Sequence, residues 1–169
     1  NIVQDPKSPL SITQKPSSFK LYESDTGMLT SRFPASMARD LYLDNRAANL
    51  GCLFENVFAQ ALTACRRPLF YYMNRKRGEV DFLTEDGLGN VIPIEVKSGK
   101  SPRAHAALDA LLESKEYKIN QGYVISRLNV EIADKVVYLP WYAVLCLPEA
   151  LGFEGENDTE TFRLELPPI

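Results

Sequence analysis

Two runs of strand-forming residues carry acids at every other position. EVDFLTE at 79–85 places Glu79, Asp81 and Glu85 on one face of an extended chain, and VIPIEVKS at 91–98 does the same for Glu95 and Lys97. If the DGLGN segment between them closes a hairpin with Glu85 facing Val91, Asp81 falls opposite Glu95 and Glu79 opposite Lys97. Directly opposed side chains have Cβ atoms about 5 Å apart, and two full negative charges there repel by roughly 3 kcal/mol at an effective dielectric of 20. Such a pair needs a compensating cation. Mg²⁺ or Mn²⁺, which take hard oxygen ligands, would supply it, with Lys97 beside the ion. A Glu-x-Lys on its own is usually a solvated strand face. What distinguishes it here is the ordered set of Glu55, Asp81 and Glu95-Val96-Lys97.

The elements that would hold these groups follow from the hydrophobic pattern. From Asp44, a candidate N-cap, the stretch to Cys65 places Leu50, Leu53, Phe54, Val57, Phe58, Ala61 and Cys65 at helical spacing. Glu55 sits at the edge of that apolar arc, where its carboxylate borders the sheet the helix covers. Segments 69–74, 79–85 and 91–98 read as an antiparallel three-strand meander. Ser101 and Pro102 have the character of a helix start, with Ala107, Leu108, Leu111 and Leu112 as the apolar stripe. GYVIS at 122–126 and the run 136–147 read as two more strands, the second with Pro140 suggesting an edge position or a bend. The expected fold is α/β, a mixed sheet of about five strands flanked by helices in the order α-β-β-β-α-β-β. Residues 1–18, with three Pro, four Ser and no hydrophobic periodicity, read as a linker or arm. Residues 19–148 form the expected domain and 149–169 an acidic tail low in core-forming residues.

Composition narrows the function. The chain has 169 residues with a formal net charge of −3, which argues against a strongly basic nucleic-acid binder. The charges are segregated, however. Residues 149–169 hold six acids against Arg163, and from Arg66 to Arg103 eight basic residues face five acids, so a local basic patch of Arg75, Lys76, Arg77 and Lys100 is a candidate contact for nucleic acid. No apolar run is long enough for a membrane span and none resembles a signal peptide, so a cytoplasmic location away from membrane is expected. Three scattered cysteines support neither a zinc site nor a disulfide framework. His105 is the only histidine, which excludes multi-histidine metal centres, and it is expected at the surface or in a cap region. Strand aromatics such as Tyr71 and Trp141 are expected to pack rather than to stack on bases.

The order of a helical Glu, a strand Asp and Glu-x-Lys resembles the restriction-endonuclease-like superfamily, named for its PD-(D/E)xK motif. The stretches KLYESDTGMLTSRF, LGCLFENVFAQAL, FYYMNRKRGEVDFL and VIPIEVKSGK also look like the uncharacterised domain fused C-terminally to AAA+-type ATPase modules in many bacterial and archaeal proteins. The resemblance covers about Phe19 to Leu147. It implies the nuclease-like fold, an ATPase module preceding this segment in a longer chain, and DNA or RNA as substrate. By its motif, Asp81, Glu95 and the backbone carbonyl of Val96 would hold Mg²⁺ or Mn²⁺. Glu55 would bind directly or through water, and Lys97 would orient the attacking water or stabilise phosphoryl charge. Val80 stands where the motif has its Pro. A chain starting at Asn1 without Met fits a segment of a longer protein, and no Walker-type phosphate loop occurs in it. Two functions remain open at this point. One is a metal-dependent nuclease-like domain, and the other is a non-catalytic binding, regulatory or oligomerisation module of the ATPase.

Overall fold

The computed structural model describes residues 1–43, 50–99, 101–146 and 151. In chain order the elements are β1 (Ile2–Val3), α1 (Leu10–Thr13), β2 (Gln14–Lys15), α2 (Thr26–Ser31), α3 (Ala35–Tyr42), α4 (Gly51–Ala64), β3 (Phe70–Asn74), β4 (Gly78–Glu85), β5 (Val91–Val96), α5 (Ala106–Leu112), β6 (Gly122–Ser126), β7 (Glu131–Ala133) and β8 (Val136–Pro140). A 3₁₀ helix, Trp141–Cys146, follows. The strands form one mixed sheet in the order β2-β1-β3-β4-β5-β6-β8-β7. The α/β class and the β3-β4-β5 meander are as expected; the sheet is wider, eight strands against about five.

The extra strands come from segments whose sequence carries little period-two pattern. β1 pairs in parallel with β3 and antiparallel with β2, so residues 1–18, expected as a linker or arm, are packed against the sheet. Val3 and Leu10 are fully buried there. β7 forms a hairpin with β8 and makes the far edge, so β8 is not an edge strand. The other expectation for Pro140, a bend, is met: β8 ends there and the chain turns into the 3₁₀ helix, so the strand expected over 136–147 is shorter. The second helix starts at Ala106 with His105 as N-cap, later than Ser101 and Pro102 suggest. The candidate N-cap Asp44, Lys100 and nearly all of the acidic tail lie outside the described residues. Leu151 is described and packs in the core at 2% exposure.

Two apolar cores sandwich the sheet. On one face Phe58 and Leu62 of α4 meet Phe82, Ile92, Ile94, Val96, Ile125 and Leu139. On the other, Leu108, Leu111 and Leu112 of α5 meet Tyr72, Val80, Leu83, Val91 and Val124. Gly122 permits the second packing, because a Cβ there would lie 2.7 Å from the Leu108 side chain. Buried on both faces, β6 and β8 carry little alternation, and β5 is apolar except for Glu95. No described helix is long and apolar enough to cross a membrane.

Candidate functional site

Hairpin β4-β5 has the register the sequence implies. Glu85 faces Val91, and the ladder continues through Thr84↔Ile92 and Leu83↔Pro93 to Phe82↔Ile94. It stops there, one step before Asp81 and Glu95. The cause lies on the other side of β4, where Phe70 pairs with Leu83 and Tyr72 with Val80. Asp81 and Phe82 together therefore span what Tyr71 alone covers on β3, which is a β-bulge. The bulge breaks the expected alternation of Glu79, Asp81, Leu83 and Glu85. Val80 and Leu83 share the α5 side, whereas Glu79 and Asp81 both meet Lys20, which also contacts Glu55 of α4.

Where backbone pairing ends, a side chain takes over. Asp81 Oδ2 accepts the N–H of Val96 at 2.8 Å. The N–H and C=O of one strand residue point to the same side, so the Val96 carbonyl is directed toward β4 as well. Beyond it, the Lys97 N–H donates to Ile125 O at 2.8 Å, and Trp141 Nε1 donates to Lys97 O at 3.1 Å. These bonds hold the end of β5 in place. Glu95 is buried at 6% exposure; its Oε1 lies 2.6 Å from Lys97 Nζ, and its Oε2 is buried without a hydrogen-bond partner.

Lys20 is the group that sequence reasoning missed. Its ammonium lies 3.2 Å from Glu55 Oε2, 2.5 Å from Glu79 Oε1 and 3.8 Å from Asp81 Oδ1. Its segment is strapped to α4 by two polar residues on that helix. Asn56 Oδ1 accepts the N–H of Glu23 at 2.8 Å and Asn56 Nδ2 donates to Glu23 O, while Gln60 Nε2 donates to Ser24 O at 2.7 Å. Asn56, buried at 2% exposure, and Gln60 stand at i, i+4 spacing on a mostly apolar helix, which is the one hint the sequence offers.

The electrostatics follow from this crowding. Burial first, and then the charge of Glu95, push the Asp81 carboxyl up to about 7; the Val96 N–H and Lys20 work the other way without prevailing. Burial works to depress the Lys20 ammonium, but its bond to Glu79 and the neighbouring carboxylates of Glu55 and Asp81 outweigh that and raise its pKa. Burial raises the Tyr22 phenol, and the Tyr22 ring packs on Phe82 at 5.7 Å.

Of the expected site residues, Asp81 is the link: it accepts the Val96 N–H, shares Lys20 with Glu55, and is near enough to Glu95 for that charge to raise its pKa, while Lys97 pairs with Glu95. Their acids supply hard oxygens suited to Mg²⁺ or Mn²⁺, and the unpartnered Glu95 Oε2 is a donor atom without a partner. As they stand, no three acid, His or Cys side chains among the described residues are gathered as a metal centre would gather them. Lys20 sits among three of them instead. Arg75 and Lys76 are exposed at the tip of the β3-β4 turn, where Asn74 Oδ1 accepts the Lys76 N–H and Gly78 takes a positive φ of 95°. Arg77 lies over the Tyr117 ring at 5.4 Å. His105 is the N-cap of α5 and is buried, bonded to Asp109 at 2.9 Å and to the Tyr138 hydroxyl at 2.7 Å. Tyr71 and Tyr72 are buried in the sheet and Trp141 packs on Phe54 at 4.4 Å.

No curated protein and no solved structure matches this chain. Residues 50–144, which run from the start of α4 into the 3₁₀ helix and include Glu55, Asp81, Glu95 and Lys97, match the model of a domain of unknown function, DUF4143, and the chain belongs to that family.

Proposed function

We propose that the acidic cluster at the facing ends of β4 and β5, with Glu55 of α4, is the centre of a metal-dependent, nuclease-like domain that hydrolyses phosphodiesters of DNA or RNA, on a restriction-endonuclease-like core. The observation that carries this reading is Glu95, buried with Oε2 unpartnered and near enough to Asp81 for its charge to act on that carboxyl. Four carboxylates, Glu55, Glu79, Asp81 and Glu95, are matched by two ammonium groups, Lys20 and Lys97. When all are ionised the excess is the charge of one divalent cation, and with Glu95 buried, Asp81 nearly so and the others partly exposed, an excess of that size is costly without one. A bound divalent cation supplies electrostatic stabilisation of the phosphoryl oxygens. Asp81, Glu95 and the Val96 carbonyl would hold it, with Glu55 at the rim. Lys97, kept beside Glu95 by the 2.6 Å contact and by the anchored end of β5, orients the attacking water and holds phosphoryl charge. On this reading the domain serves a cytoplasmic AAA+-type ATPase in the same longer chain. Incubation with plasmid, single-stranded DNA and RNA in Mg²⁺ and in Mn²⁺ tests it, with an Asp81→Ala, Lys97→Ala double variant as control. Equal, negligible cleavage by both proteins would sink it.

A second reading is favoured by Lys20. An internal ammonium on three carboxylates suits a structural cluster, and a non-catalytic binding, regulatory or oligomerisation module of the ATPase would keep such a cluster for its fold alone. Assembly of the full-length protein unchanged by Glu95→Gln, together with no cleavage by the wild type, favours that reading.

A further inference from the structure

We propose that Lys20 is a resident cation that holds the site shut, and that a divalent ion enters only when the Lys20 ammonium swings out; this rests on the metal-site reading above. Three carboxylates from two elements, Glu55 of α4 with Glu79 and Asp81 of β4, surround Nζ at 3.2, 2.5 and 3.8 Å. The three are drawn onto an ammonium and, with it in place, are not gathered as a metal centre would gather them. A point charge of +1 and a divalent ion repel each other steeply at such distances, so the two occupants exclude one another. The carboxylates alone would not argue for a ligand. The independent observation is Glu95, more than nine-tenths buried beside Asp81, whose Oε2 has no partner while Lys20 is in place. Lys20 satisfies the outer acids and leaves the inner one wanting.

The geometry also gives Lys20 a way out. Its strap is pinned on both sides, by the bond from Ile2 N to Ser18 O and by Asn56 and Gln60 holding Glu23 and Ser24, so the backbone stays while the side chain can turn. A cleft of about 390 Å³, bordered by Lys20, Leu29, Cys52 and Glu55, opens beside the ammonium and is large enough for a lysine tip or a hydrated ion. Lys20 Nζ also lies 5.3 Å from the Tyr71 ring, a contact that adds to the closed state. Glu23 borders that cleft as well and gives the swung-out ammonium a counter-charge; a substrate phosphate that draws Lys20 off the three carboxylates would likewise open the site to metal. Substrate and metal would then bind with mutual reinforcement.

Mn²⁺ binding to the intact chain, followed by electron paramagnetic resonance of the free ion and by thermal shift, tests this with Lys20→Met, which keeps the apolar stem and removes the charge. The expected result is binding at least about tenfold tighter than wild type, abolished again by adding Glu95→Gln. Wild-type binding that Lys20→Met leaves equal or weakens overturns the inference and spares the metal site. No Mn²⁺ response in either protein up to about 10 mM overturns both. Should Lys20→Met not fold, acetylation of Lys20 in the wild type, read by mass spectrometry, decides the matter. Mn²⁺ should accelerate it several-fold, and a rate unchanged under saturating Mn²⁺ overturns the inference.

Discussion

The carboxylate of Asp81 accepts the N–H of Val96 across 2.8 Å at the point where β4 and β5 stop pairing. A side chain there does the work of the next rung of the ladder, and the bulge at Asp81 and Phe82 makes it available. Asp81→Asn keeps an acceptor oxygen in that position and removes a buried charge; Asp81→Ala leaves the Val96 N–H without a partner. The alanine variant should lose about 1–3 kcal/mol in urea unfolding, while the asparagine variant should match or exceed wild type at neutral pH. Equal losses in both would mean that the carboxylate charge, not the acceptor, sustains the fold.

The pH dependence of that comparison has a definite sign. Burial and the Glu95 charge raise the folded-state pKa of Asp81 from 3.8 to about 7, so between these values the folded chain holds a proton that the unfolded chain has lost. Folding stability attributable to Asp81 is then present at low pH and is lost as pH rises through 7. Asp81→Asn has no such proton to lose. Its stability relative to wild type should grow from pH 4 to pH 7 and level off above, measured by chemical unfolding without divalent ions. An advantage that shrinks over that interval would show that a cation keeps Asp81 ionised.

Lys97 and Glu95 should be strongly coupled. Glu95 is buried and its Oε1 lies 2.6 Å from Lys97 Nζ, while Oε2 has no partner, so Lys97→Ala strands a carboxylate in the sheet. Removing one member of a buried pair costs about 3–5 kcal/mol, less here because the Lys97 side chain is 27% exposed. Adding Glu95→Gln should recover at least half of the loss, since the charge then disappears with its partner. Additive losses in the double variant would place the compensation of Glu95 elsewhere.

These pairs also show what a sequence discloses. The register that brings Asp81 to the end of β5 was legible because the DGLGN turn and the two alternating runs leave one pairing open, and a slip by one residue would turn Ile92 and Ile94 out of the core. Glu55 at the edge of a long apolar helix was legible for the same reason, a strong period. The bulge was not, because it depends on how β3 pairs with β4, and nothing in FYYMN or EVDFLTE marks the extra residue. Lys20 was illegible too. It reaches the site through a strap without regular structure, held by side chains of Asn56 and Gln60, and neither propensity nor periodicity records such tertiary bonds. Strand β1 is two residues long, below the length at which alternation can be read, and its pairing with β3 is set by chain neighbours distant in sequence.

Leu10 tests that last point. It lies in the Pro- and Ser-rich opening whose composition reads as an arm, yet it is fully buried against the core that includes Val3, Val80, Leu83 and Leu108. Its backbone N–H also donates to Glu85 Oε1 at 3.2 Å, which ties α1 to the end of β4. Truncating a buried leucine removes transfer free energy and leaves a cavity, so Leu10→Ala should cost about 2–5 kcal/mol. Ile12, two residues on and 77% exposed, is the internal control, and Ile12→Ala should change stability by no more than about 0.5 kcal/mol. Differential scanning calorimetry of both variants decides it. A Leu10→Ala protein as stable as Ile12→Ala would mean that residues 1–18 leave the sheet in solution, and that β3 is then its edge.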